Sequence, residues 1–256
     1  MTRSHLAACM AAAAACTHLA QARCTHALSA DLAWAAMRDV DAPLLSRYRA
    51  LNNSFTPQQL HIAPTTDPSR LLITYITSSA VYTQGSVRIV PLASPELPQV
   101  FNTSQTTYDV GVLGGWTGFI HTAQITGLQP NAYYNYTAGF GLDWSDVRTF
   151  KTAPAPGADQ SVYIAVTADQ GTYVPFGFAV SKQMTADFEQ EPFDLALLAG
   201  DVAYAGMQSQ ADGEWEPIWD IYGLQVEDYA SRRPFVTTVG NHESYYNYTS
   251  FTHRYY

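Results

Sequence analysis

Val162-Tyr163-Ile164-Ala165-Val166-Thr167-Ala168-Asp169-Gln170-Gly171 decides the fold of this chain: an apolar run breaks off into a polar cluster that carries an aspartate. Two further apolar runs end in polar clusters, one carrying an aspartate and the other an asparagine. Leu195 to Leu198 runs into Gly200-Asp201-Val202-Ala203-Tyr204, and Phe235 to Val239 runs into Gly240-Asn241-His242-Glu243. Between the runs, Phe176, Val180, Met184 and Phe188 recur at four-residue spacing, and Trp215, Ile218, Trp219, Tyr222, Val226 and Tyr229 form a second stripe. Both spacings are helical, and the aromatic stripe reads as core. The order strand, helix, strand, helix, strand predicts an α/β layer of parallel strands with right-handed crossovers. The first run reads as a strand buried on both faces. The third, Phe235 to Val239, would be left as an apolar edge, making this half poorly folded.

Upstream the period changes. Leu71–Thr77, Ser86–Val90, Phe119–Ile125, Ala132–Ala138 and Val147–Thr152 are short runs rich in β-branched and aromatic residues, separated by Gly, Pro and Asn clusters. That spacing predicts a β-sandwich over residues 56–152. His121 alternates with apolar neighbours there and reads as structural. Ala153-Pro154-Ala155-Pro156-Gly157-Ala158 is a linker by composition. It separates the sandwich from the α/β half, residues 159–256. Residues 23–55 form an extension whose loosely helical spacing from Leu32 to Leu51 is interrupted by Pro43.

The N-terminus carries Arg3, an apolar run from Leu6 to Ala15 and the small-residue pattern Ala20-Gln21-Ala22. This reads as a secretory signal peptide over residues 1–22, too short for a membrane span. Cleavage after Ala22 leaves Cys24 alone, so no internal disulfide is expected. Four sequons, at Asn52, Asn102, Asn135 and Asn247, agree with secretion and N-glycosylation. Of the 256 residues, 47% are hydrophobic and 14% charged, which suits a buried core. A formal charge of −9 argues against nucleic acid and anionic membranes as partners. It does not exclude a phosphate substrate, because bound cations reverse the local sign.

In an open α/β sheet, ligands bind beyond the carboxyl ends of the strands. Three successive strand ends deliver Asp169, Asp201, Tyr204, Asn241 and His242 to one edge, each interval fitting one helical crossover. Hard oxygen donors gathered there suit divalent or more highly charged metals. An aspartate after glycine often only caps a helix. The joint occurrence of such clusters at three successive strand ends has no comparable structural explanation.

These clusters resemble the first three motifs of the metallophosphoesterases, and Tyr204 narrows the resemblance to purple acid phosphatases. Thr56-Pro57-Gln58-Gln59-Leu60-His61-Ile62, Leu71 to Thr77 and Ile120 through Pro130 to Tyr134 resemble the fibronectin-III-like N-terminal domain of the plant-type members. The resemblance implies hydrolysis of phosphate monoesters at a dinuclear centre of Fe(III) and a divalent Fe, Zn or Mn, with a metal-bound hydroxide as nucleophile. It implies that Asp169 and Tyr204 ligate iron, that Asp201 bridges both metals, that Asn241 ligates the second metal, and that His242 acts on the substrate as a catalytic residue. A phenol of ordinary pKa about 10 ionises in acid only beside a strong Lewis acid. A homodimer is compatible with the resemblance.

Two features depart from the family pattern. Ala168 stands where a glycine is usual, which matters if that backbone is left-handed. The later V-x-x-H and G-H-x-H motifs are absent, so the α/β half reads as an incomplete metallophosphoesterase domain, the chain reads as a fragment, and little activity is expected of it alone. His253 lies in no matching context and reads as a surface residue. The alternative reading is a non-catalytic secreted protein with a binding sandwich and a vestigial metal site.

Overall fold

The computed structural model describes residues 40–51, 54–78, 84–94, 97–157, 159–206 and 212–255. The leader, Cys24 and the sequon at Asn52 lie outside them. Strands β1 (Gln58–Pro64), β2 (Leu71–Thr77), β3 (Ser86–Pro91), β4 (Gln99–Thr106), β5 (Phe119–Ile125), β6 (Tyr133–Phe140), β7 (Asp143–Trp144) and β8 (Arg148–Lys151) form one antiparallel sheet. Its order is β1-β2-β5-β4-β3-β6-β7, with β8 on β6. The expected sandwich is thus a single curled sheet. β4 joins its layers by pairing with β3 through Gln99–Asn102 and with β5 through Thr103–Thr106. β4 is polar and mostly exposed, so it carries no apolar alternation to betray it.

Alternate residues of these strands point inward and fill the enclosed core. Ile62, Ile73, Val87, Ala123, Ile125, Ala138 and Phe150 are completely buried. His121 is buried as well, stacked on Tyr75 at 4.6 Å with Nε2 3.0 Å from Thr77 Oγ1. Burial lowers its pKa to about 4, so it sits in the core neutral. It is structural.

The second half contains β9 (Ile164–Thr167), α2 (Phe176–Gln190), β10 (Leu195–Leu198), α3 (Pro217–Ala230), β11 (Phe235–Thr237) and α4 (Thr249–Tyr255); α1 (Ala42–Leu51) packs against α3 from before the curled sheet. Pro43 does not interrupt α1, because it stands in the first turn, where a missing N–H costs nothing. The three strands are parallel, with β10 central. α3 is buried almost all round, with Trp219, Ile221, Tyr222 and Tyr229 at the middle of a core shared with α1 and α2.

Two expectations are corrected by the sheet's register. β9 is not buried on both faces. Ala165 lies across from Ala196 on the covered side, whereas Ile164 and Val166 are 50% and 62% exposed beside Leu195 and Leu197 on the other. Nor is β11 the bare edge: Phe235 is 3% exposed and packs on Tyr255, and Pro234 bridges to Ile62 of β1. The open apolar surface therefore belongs to β9 and to the outer face of the sheet, because helices cover only one side of it.

The two sheets are clasped by buried polar groups. Tyr136 Oη donates to Ser231 O at 2.7 Å. Glu227 of α3 accepts from Arg47 at 2.7 Å, Arg148 at 3.1 Å and the Gln59 amide at 3.2 Å. Arg254 of α4 donates to Tyr108 Oη at 2.6 Å and to Asp220 Oδ1 at 2.9 Å. Of the sequons, Asn102 and Asn247 are exposed, while Asn135 is half-buried and accepts from Thr149 Oγ1 at 2.7 Å.

Candidate metal centre

Beyond β9, β10 and β11 the backbone continues as three loops that remain in contact. Amides of the first loop donate to carbonyls of the second: Asp169 to Gly200, Gln170 to Asp201 and Gly171 to Val202, at 3.1, 3.1 and 2.8 Å. Both aspartates are thereby carried to the same edge of the sheet.

The backbone bends sharply to present the candidate ligands. Asp169, Asp201 and Tyr204 all adopt left-handed conformations, with φ of 52°, 52° and 55°. Such conformations cost a non-glycine residue about 1–3 kcal/mol each and concentrate at functional sites. Ala168 is not among the left-handed residues, so the alanine there carries no such strain. Two glycines allow the loops to close. A Cβ on Gly200 would meet Gly240 N at 3.0 Å, and one on Gly240 would meet Asp201 Oδ1 at 2.1 Å.

Tyr204 Oη donates toward Asp169 Oδ1 at 3.0 Å and Asp201 Oδ2 at 3.4 Å. The His242 amide donates to the other oxygen of Asp201 at 2.9 Å, and the His242 ring packs on Tyr204 at 4.4 Å. Asn241 is exposed and stands next in the chain to His242, whose amide meets Asp201. Asp169, Asp201, Tyr204 and His242 are therefore brought to one place, half-buried to exposed and open to solvent, with Asn241 next to His242 in the chain. Burial raises the Tyr204 pKa well above its ordinary value, helped by the hydrogen bond to Asp169 and by both carboxylate charges. A cation among the three oxygens would act in the opposite direction and favour the phenolate.

The donor set fits a hard, highly charged cation. Two carboxylates and a phenol converge from separate loops on a spot where a single hydroxyl proton now holds them together. Among the described residues no three His, Cys, Asp or Glu side chains gather into a metal-binding group. The group that meets the two aspartates here is a phenol.

The supporting residues around these ligands escape a sequence reading. Gln170 is buried, donates to Ser181 Oγ at 2.9 Å and accepts from Tyr222 Oη at 2.5 Å, which anchors the first loop on α2 and α3. Glu243 is buried and accepts three backbone amides. Its only sequence signal is its place three residues after Gly240, where a glutamate commonly closes a turn on itself.

Comparison with known proteins bears on the family. Residues 57–152 match the model of the purple acid phosphatase N-terminal domain. A mouse protein named acid phosphatase type 7 is 30% identical over 202 residues, 78% of this chain and 43% of that protein. An Arabidopsis thaliana protein named probable inactive purple acid phosphatase 27 is 34% identical over 148 residues, 50% of this chain and 23% of that protein. Purple acid phosphatase PPD1 from yellow lupin seeds superposes with a TM-score of 0.62 at 22% identity, over 75% of this chain and 36% of that one, which shows a shared fold. The chain thus spans less than half the length of these relatives. Residues 57–152 are thus a purple acid phosphatase N-terminal domain, and the similarity to named acid phosphatases runs well beyond it.

Proposed function

We propose that the protein is an acid phosphatase that hydrolyses phosphate monoesters at a dinuclear centre of Fe(III) and a divalent metal. The observation that carries this reading is the convergence of Asp169, Asp201 and Tyr204 on one hydroxyl proton at the carboxyl edge of the sheet. Asp169, Asp201 and Tyr204 would hold the iron, and Asp201 with Asn241 would contribute to the second metal. Such a pair of ions supplies Lewis acidity and neutralises the charge that builds on the phosphoryl oxygens. Tyr204 would give up its proton on metal entry, which removes the hydroxyl that now ties the two carboxylates. His242, held against Tyr204, would lie within reach of the phosphate or of the departing alkoxide oxygen and hold or deliver a proton there. The residues 159–256 would be the first part of a metallophosphoesterase domain, with residues 56–152 as a separate N-terminal domain.

Secretion and glycosylation at Asn102 and Asn247 belong to the same proposal, supported by the leader pattern and the exposure of both asparagines. Among the described residues no helix is long and apolar enough to cross a membrane. A second reading, a non-catalytic relative with a residual metal site, is supported by the name of the Arabidopsis thaliana protein matched at 34% identity.

Ferric iron separates a working iron site from none. Loading the chain with ferric iron is expected to produce a broad visible absorption from Tyr204 phenolate, and Tyr204→Phe is expected to abolish it while the circular dichroism spectrum stays unchanged. A band that survives this substitution would remove Tyr204 from the site.

A further inference from the structure

We infer that Glu243 is a positioning residue, a carboxylate that replaces a missing strand partner and fixes Asp201 and Asn241 relative to one another. The inference deepens the metal-centre reading and rests on it for its consequence, though not for its geometry. The ladder between β10 and β11 ends where Thr238 N donates to Leu198 O at 3.0 Å. Beyond that point the second loop still finds backbone partners on one side, since its carbonyls accept from the first loop. On its other side the third loop turns away into a short 3-10 segment at Asn241–Glu243 and offers no carbonyls to the Asp201 and Val202 amides.

Glu243 meets both. Its Oε2 accepts from Asp201 N at 2.9 Å and Gly240 N at 2.7 Å, and its Oε1 accepts from Val202 N at 2.7 Å. The bond to Gly240 alone would only close the residue's own turn. The two bonds to a loop about forty residues earlier have a different effect. They set the left-handed backbone of Asp201, whose side-chain Oδ1 then accepts the His242 amide. A closed cycle results: Glu243 holds the Asp201 backbone, and the Asp201 carboxylate holds the backbone beside Asn241. The carboxylate is 1% exposed, so water does not compete for these amides. A glutamine in its place would turn an NH₂ donor toward at least one amide donor, so it cannot satisfy all three. An aspartate keeps the charge and loses one methylene of reach.

The experiment compares the full chain with its Glu243→Gln, Glu243→Asp and Phe251→Ala variants, in two arms. Phe251 is buried in the same core and its ring packs on Tyr255 of α4, so it reports on lost stability. In the first arm, without metal, amide hydrogen exchange is read at Asp201, Val202 and Gly240. Protection is expected in the unmodified chain and in Phe251→Ala, and loss of it in both Glu243 variants. In the second arm ferric iron, supplied as its citrate complex, is titrated against the visible absorption of Tyr204. Affinity is expected to fall about 10- to 100-fold in Glu243→Gln, the range for partners that orient metal ligands, and to change less than about threefold in Phe251→Ala. Retained protection in Glu243→Gln, retained iron affinity, or an equal loss in Phe251→Ala would each overturn the inference. If the unmodified chain binds no iron, the metal reading fails by itself and the exchange arm alone decides the role of Glu243. Should Glu243→Gln fail to fold, Glu243→Asp carries both arms.

Discussion

The curled antiparallel sheet and the three-stranded parallel sheet solve the burial problem in opposite ways. The first encloses its own core: β4 crosses from one layer to the other, and the residues that point inward meet each other. The second buries one face only, beneath α2, α3 and α1, and leaves Ile164, Val166, Leu195, Leu197 and Val236 on an uncovered side. Antiparallel strands can pair with their neighbours in sequence, as β1–β2, β3–β4, β4–β5 and β6–β7 do, with β2–β5 and β3–β6 joining those pairs into one sheet. Parallel strands need crossovers, and each helix used as a crossover must choose a face. Both crossover helices described here pack into one shared core. Completeness in the first region is local, whereas the second depends on whatever lies against its outer face.

The largest expected effect tests that contrast directly. Phe150 is fully buried between Tyr134 and Tyr136, so Phe150→Ala should cost about 3–5 kcal/mol in denaturant unfolding. Val166 is 62% exposed, so Val166→Ala should cost less than about 0.5 kcal/mol. Comparable losses at the two positions would mean that the outer face is covered in solution.

A second test concerns what joins the two regions. Arg254 is 4% exposed and faces Tyr108, Gln59, Asp220 and Glu216. Arg254→Met would strand buried carboxylates and should destabilise the protein by about 3 kcal/mol. The measurement that sharpens the comparison is whether the two regions still melt together. A variant that melts in two steps, curled sheet last, would show that this contact couples them.

The smallest expected effect is a pH dependence confined to the same junction. Burial raises the Glu214 pKa to about 8, with the charge of Glu216 adding to it, and Ser250, Trp219 and Arg254 opposing. Ser250 Oγ lies 2.8 Å from both Glu214 Oε2 and Glu216 Oε1. One hydroxyl hydrogen cannot serve two carboxylates, so a proton on Glu214 completes the arrangement. A carboxyl whose folded pKa lies above its unfolded value near 4.5 binds its proton more tightly when folded. Its contribution is full below the unfolded pKa and is lost as pH rises through about 8. Thermal unfolding should therefore show declining stability between pH 5 and pH 8, and Glu214→Gln should flatten that slope. An unchanged slope in the variant would assign the dependence to other groups.

Much of this molecule is written in short-range pattern. The strands Leu71–Thr77, Phe119–Ile125 and Leu195–Leu198 stand where alternation or an apolar run places them, because each run is bounded by turn residues that end it. The helices over Phe176–Gln190 and Pro217–Ala230 follow from four-residue spacing for the same local reason. Asp169, Asp201, Tyr204, Asn241 and His242 could be named from three strand-end clusters alone, since a parallel sheet sends successive strand ends to one edge.

What only the tertiary structure decided involves residues whose partners are distant in sequence. β4 changes layers in mid-strand, and nothing in its polar run marks the residue where it does so. Which face of β9 lies open depended on where the crossover helices packed, and an apolar run has the same appearance with one face covered or two. Asp169, Asp201 and Tyr204 took left-handed backbone because their loops hydrogen-bond one another, against the local preference of all three. Glu243 reads in sequence as the end of a turn. It became the partner of Asp201 and Val202 only when folding brought two loops within the reach of one carboxylate.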